Sequence, residues 1–182
     1  LKNIKPPLRL SITPYVAGIL NHYPYNQPGI NNTTYNASGG MDLKYGISDG
    51  FTLDMTLVPD FSQVQSDNQV LNLSPFEVQF QERRPFFTEG TELFNKGGLF
   101  YSRRVGGQPL LYYNVYEQTN EGEKIIKNPS QANLYNATKL SGRTSSNLGI
   151  GLFNAISGDT YATAQDSIGT TRKILSSPLT NY

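Results

Sequence analysis

Apolar and polar residues alternate along five stretches of this chain. In residues 9–19, Leu10, Ile12, Val16 and the small Gly18 fall on one side, and Arg9, Ser11, Thr13 and Tyr15 on the other. That two-residue period is the mark of a β-strand. Pro14 has no N–H to give a ladder, so it marks an edge or a bulge. The alternation is cleaner at 41–47, with Met41, Leu43, Tyr45 and Ile47 against Asp42, Lys44 and Gly46. It repeats at 51–57, with Phe51, Leu53, Met55 and Leu57 against Thr52, Asp54 and Thr56. Between 133 and 156 two more runs form a hairpin. Leu134, Thr138 and Leu140 oppose Lys139, Ser141 and Arg143, and Leu148, Ile150, Leu152 and Ile156 resume the apolar face after Ser145-Ser146-Asn147. Asn147 suits the left-handed position of that turn. Residues 160–165 read as the start of another strand, and 166–182 is polar without a clear period.

Parity sets the register of the first hairpin. Paired residues share a face, and both apolar sets are odd-numbered, so paired numbers must sum to an even value. A three-residue Ser48-Asp49-Gly50 loop with Gly50 left-handed satisfies this. It pairs Ile47 with Phe51, Tyr45 with Leu53, Leu43 with Met55 and Met41 with Leu57. On the opposite face Lys44 then meets Asp54, a cross-strand pair worth roughly 0.2–1 kcal/mol.

The connections run long (20–38), short (48–50), long (about 60–131) and short (145–147). Strict alternation of this kind is the habit of outer-membrane barrels. Taken singly, each hairpin is better read as a half-buried soluble sheet; taken together, the alternation favours the barrel. Within the long connection, Ser74-Pro75-Phe76-Glu77 fits a capping box with proline at the first helical position. That predicts a short helix over about 75–82, stopped at Arg84 by Pro85. Arg83, Arg84, Arg103 and Arg104 lie near Asp60, Glu77, Glu82, Glu89 and Glu92, interleaved with aromatics. Such a cluster can fasten a long loop inside a polar lumen. It can also bind a sugar or an anion through Arg83, Arg84, Glu89, Tyr101, Arg103 and Arg104. A third use is glycoside hydrolysis by a carboxyl pair such as Glu82 and Glu89. An acid ringed by arginines has a lowered pKa, which disfavours that third use.

Composition narrows the chemistry. There are 182 residues, no cysteine and one histidine. Thiol nucleophiles, zinc–thiolate centres and multi-histidine metal sites are therefore excluded, and no cofactor is implied. His22 falls in a polar loop and reads as a solvated side chain. A net charge of +1 gives no sign of a nucleic-acid partner. Leu1 to Pro7 lacks an apolar signal core, so the chain is expected to be part of a longer polypeptide, entered by the stiff Lys5-Pro6-Pro7.

Gly39-Gly40-Met41-Asp42-Leu43-Lys44-Tyr45-Gly46, Pro59-Asp60-Phe61-Ser62-Gln63-Val64, Arg83-Arg84-Pro85-Phe86-Phe87-Thr88-Glu89-Gly90 and Phe100-Tyr101-Ser102-Arg103-Arg104-Val105-Gly106 resemble a domain-of-unknown-function family common in Bacteroidota. The likeness covers about 1–156 and is sharpest at 39–106. One departure is Glu82-Arg83-Arg84-Pro85 in place of the usual Glu-Lys-Arg-Pro, which keeps the charge. The resemblance implies an outer-membrane β-barrel that follows a family-9-like carbohydrate-binding domain, and it implies no catalytic residues.

The expected fold is therefore all-β: an antiparallel meander of about five or six strands. It would form the N-terminal part of one barrel domain spanning 1–182, with a plug-like insert at 60–131 between the third and fourth strands. Lys44, Asp54, Gly50, Asp60 and Pro85 are its expected structural positions. The expected setting is the outer membrane of a Gram-negative bacterium. The partners would be its lipid, the rest of the polypeptide or other envelope proteins, and a glycan ligand. The alternatives are a glycoside hydrolase and a soluble carbohydrate-binding β-sandwich.

Overall fold

The computed structural model describes residues 8–22, 24, 32–59, 71 and 73–182. Among these residues the chain forms nine strands in two antiparallel sheets. The first sheet contains β1 (Leu10–His22), β2 (Thr33–Ser48), β3 (Phe51–Leu57), β5 (Leu134–Arg143), β6 (Gly149–Ser157) and β9 (Thr180–Asn181), side by side in that order. The second contains β4 (Lys124–Lys127), β7 (Thr160–Gln165) and β8 (Thr171–Ser177). The antiparallel all-β expectation holds. The second sheet goes beyond it, since β4 lies inside the expected insert and β8 and β9 lie in the stretch without a period.

Registers across the first sheet stack side chains into rows. One row runs Leu10, Tyr45, Leu53, Leu140, Leu152 through five strands. The neighbouring row on the opposite face runs Ser11, Lys44, Asp54, Lys139, Phe153, and the next on that face runs Thr13, Asp42, Thr56, Ala137, Ala155. Where the insert meets the sheet, at β3 and β5, burial is the reverse of a water-soluble sheet, while Ser11, Thr13, Asp42 and Lys44 at the β1–β2 end are exposed. Ile12 and Leu152 on the aliphatic face are 52% and 60% exposed, whereas Asp54 and Lys139 are 9% and 3% exposed. The insert covers the polar face. Phe87 and Val105 pack on Leu134, Ala137 and Ala155, with Phe86, Phe100 and Phe153 alongside. A separate cluster of Val115, Ala162, Ala164 and Ile174 holds the second sheet. Neither cluster includes the aliphatic row.

Three local expectations need correction. The long loop at 20–38 is shorter, because β1 runs on to His22 and β2 begins at Thr33. A backbone ladder does not need apolar side chains, so the polar composition hid its extent. At the hairpin tip Ser48 pairs with Phe51, although Tyr45–Leu53, Lys44–Asp54, Leu43–Met55 and Met41–Leu57 stand as expected. A bulge between Gly46 and Ser48 absorbs the odd residue, so a two-residue loop satisfies the parity rule. Gly50 is accordingly not left-handed. It is needed for closeness, since a Cβ there would sit 2.3 Å from the Arg143 carbonyl oxygen. Asn147 does take the left-handed conformation, with φ of 63°.

The third correction concerns the helix, which forms at α1 (Pro85–Thr88), after the proline instead of before it. Proline fixes φ for the first helical turn, and Pro85 is used that way. The Ser74 hydroxyl pairs locally with Phe76 and the Glu77 carboxylate goes to Arg104, so the capping box never closes.

Candidate functional site

The insert carries two charged centres of different kinds. The first is internal to it. Arg84 is 5% exposed. Its Nε and Nη2 donate to the two Glu82 oxygens at 2.9 and 2.7 Å. Its remaining donors reach the carbonyls of Val105 at 2.6 Å and Ser102 at 2.7 Å, and its guanidinium lies 4.1 Å from the Phe87 ring centroid. Glu82 also accepts from the Ser102 hydroxyl at 2.6 Å and from the amides of Arg83 and Arg84. A planar bidentate fork of this kind is the strong form of ion pair. It ties the 82–87 segment to the turn at 102–105. Burial works to raise the Glu82 pKa, but the bonds from Arg84 and Ser102 outweigh it and hold the carboxyl below its usual range.

The second centre joins the insert to the sheet. Lys44 on β2 donates to Glu89 at 2.9 Å and lies 3.8 Å from Asp54 on β3. Lys139 on β5 donates to the backbone carbonyls of Phe86 and Glu89. It thereby satisfies carbonyls that a four-residue helix cannot pair internally. The hydrogen bond to Glu89 raises the Lys44 pKa, opposed by desolvation and helped by Asp54. The same bond lowers that of Glu89. Desolvation lowers that of Lys139, with Asp54 and Glu89 opposing. At the far end of β5, Arg143 pairs with Glu92. Beside Lys44 a cavity of about 270 Å³ opens between the sheet and α1, lined by Ser11, Thr13, Asp42, Asp54 and Phe86 among others.

The remaining expected positions divide. Arg104 pairs with Glu77 on the surface. Tyr101 accepts the Phe80 amide through its hydroxyl at 2.8 Å, and with Arg103 it lines a polar groove of about 290 Å³ that also includes Gln108 and Gln131. Arg83 is exposed and makes no ion pair among the described residues. Asp60 lies outside the described residues. Alternation along the sequence puts Lys139 on the polar face without assigning it a partner. Its signal was its register opposite Asp54, which puts it in one row with Lys44.

Chemically, the site offers charge pairing and hydrogen bonding. Glycoside hydrolysis needs one carboxyl kept protonated, and both Glu82 and Glu89 are held the other way. Among the described residues no three metal-capable side chains converge. No helix of the described residues is long and apolar enough to cross a membrane, a statement that does not touch strands. A family model described as a domain of unknown function (DUF5916) matches residues 6–182. No curated protein and no solved structure matches the chain.

Proposed function

The chain belongs to the DUF5916 family of domains of unknown function, and from that premise we propose that it forms part of an outer-membrane β-barrel wall with a lumen-filling insert. The carrying observation is the reversed burial of the first sheet. In a membrane barrel the outward face is apolar and the interior polar. Here Leu10, Ile12, Val16, Leu20 and Leu152 are exposed, while Asp54, Thr56, Arg84 and Lys139 lie under or within the insert. In water such a continuous aliphatic face would be an aggregation liability. Against lipid it is the favourable surface.

The edges support the same reading. β1 is the outer strand of the sheet on one side, and the other side ends in the two-residue β9. Unpaired edges call for further strands, and bacterial barrels of this kind close with at least about eight. The rest of the polypeptide or another envelope protein would supply them. The setting that follows is the outer membrane of a Gram-negative bacterium, with Bacteroidota as the source the sequence motifs suggest. The role would be binding or passage of a glycan or other nutrient past the insert. The polar groove at Tyr101 and Arg103 and the cavity at Lys44 are the surfaces available to such a ligand. The test is fractionation of the expressed protein. It is expected in the outer membrane, released by detergent and not by salt or alkali. Recovery as a detergent-free monomer with a cooperative melt would overturn the reading and favour a soluble sandwich.

A further inference from the structure

The cavity beside Lys44 has a fixed frame and one loose side chain. Behind it, the backbone of 86–89 is pinned by Lys139, which donates to the Phe86 and Glu89 carbonyls, and by the buried Glu82–Arg84 fork. The Glu89 carboxylate is largely exposed, and it reaches from that fixed backbone to an equally accessible Lys44. An exposed pair of this kind is weakly held. Glu89 can leave Lys44 by a change of rotamer, with no backbone movement.

The charges around the cavity say what could replace it. With Glu89 in place, the carboxylates of Asp42, Asp54 and Glu89 face the ammonium groups of Lys44 and Lys139. With Glu89 swung out, two carboxylates face two ammoniums, and Lys139 is already occupied by backbone carbonyls. Lys44 would then be the open donor. Asp54, nearly buried, is held by its ammonium neighbour Lys44 only at 3.8 Å. Asp42 makes no hydrogen bond or ion pair among the described residues. An anion alone would sit against both aspartates, and a cation alone against Lys44. A molecule with both charges suits both. About 270 Å³ is room for several waters or one solute of amino-acid size.

We propose that this cavity is a binding subsite for a small zwitterion of the amino-acid type. Its carboxylate takes the place of Glu89 at Lys44, and its ammonium meets Asp54 and Asp42. Glu89 is then an internal stand-in for the ligand's carboxylate. The proposal rests on the plugged-barrel reading only in placing the cavity within a lumen.

The test is calorimetric titration of the protein in detergent with glycine, acetate and ethylammonium as separate probes. Glycine is expected to bind more tightly than either single-charge probe. Glu89→Gln, which keeps the shape and removes the competing charge, should tighten glycine about two- to five-fold, the span of an exposed ion pair. Lys44→Met should abolish binding and Lys44→Arg restore part of it. Glycine binding that is absent from Glu89→Gln, equal in Glu89→Gln and the original protein, or intact in Lys44→Met would overturn the proposal. If Lys44→Met does not fold, the Glu89→Gln comparison decides alone. A protein that behaves as a detergent-free monomer would sink the barrel reading and leave the glycine result standing.

Discussion

The two faces of the first sheet share one backbone and have opposite fates. Leu53 and Asp54 are neighbours in β3. Leu53 is half-exposed in a row with Leu10, Tyr45, Leu140 and Leu152 that belongs to neither buried cluster. Asp54 is buried beside the insert in a row that includes Lys44 and Lys139. A sheet folding in water would cover the first row and wet the second. The proposed barrel wall accounts for this contrast by setting the aliphatic row against lipid. The interior polar row then needs its own partners, which the insert brings as carbonyls and carboxylates.

Arg84→Ala removes the cation from a buried fork, leaving the Glu82 carboxylate without its countercharge and the Val105 carbonyl without its donor. It is expected to cost about 3–5 kcal/mol, read as a fall in the denaturant midpoint and as new protease cleavage within 82–105. Unchanged stability and resistance would show that the fork does not hold the insert together. Leu53→Arg places a charge on the aliphatic face. In lipid vesicles it should cost about 2–4 kcal/mol if that position lies near mid-membrane. A neutral outcome in vesicles would mean that the face meets water.

A size increase should separate the faces further. Ala137 is fully buried under the insert, and its neighbour Thr138 points the other way. Ala137→Leu is expected to cost about 1–3 kcal/mol by overpacking, while Thr138→Leu should be close to neutral or mildly stabilising in lipid. Equal effects at the two positions would erase the contrast. The smallest effect belongs to Lys44→Met, about 0–1 kcal/mol, because Lys44 and Glu89 are both largely accessible.

Acid should act on the covered face. Glu82 and Glu89 have pKa values below the ordinary 4.5. A carboxyl whose folded pKa is depressed adds stability above its unfolded value, and that stability is lost as pH falls through the folded value. The denaturant midpoint should therefore drop below about pH 4.5, and Glu82→Gln should flatten part of that drop. A midpoint that rises on acidification would contradict the sign.

Alternation made the faces of β1, β2, β3, β5 and β6 legible, because a period of two needs only a few residues to establish itself. Parity then placed Lys44 opposite Asp54. Parity was blind to the bulge at Gly46–Ser48, since an extra residue changes the count without changing which side chains face which. The second sheet left little trace. β8 buries Ile174, Ser176 and Ser177, so small polar residues stand where aliphatic ones would have signalled a strand. The helix was misplaced because Pro85 can both end one helix and begin another, and only the tertiary partners of Ser74 and Glu77 decide which. At the candidate site the interleaved arginines and acids were visible, but which pair is buried depends on contacts twenty residues apart. The Arg84 bonds to Ser102 and Val105 show this.

A nitroxide scan of β3 and β5 in lipid bilayers tests directly whether the aliphatic face meets lipid. Labels at Leu53 and Leu140 should be reached by oxygen dissolved in the lipid and shielded from a water-soluble nickel complex. Labels at Thr52 and Ser141, on the opposite face, should show low oxygen access. A barrel wall gives that alternation with a period of two. Uniform access to the nickel complex at Leu53 and Leu140, or oxygen access without alternation, would contradict it.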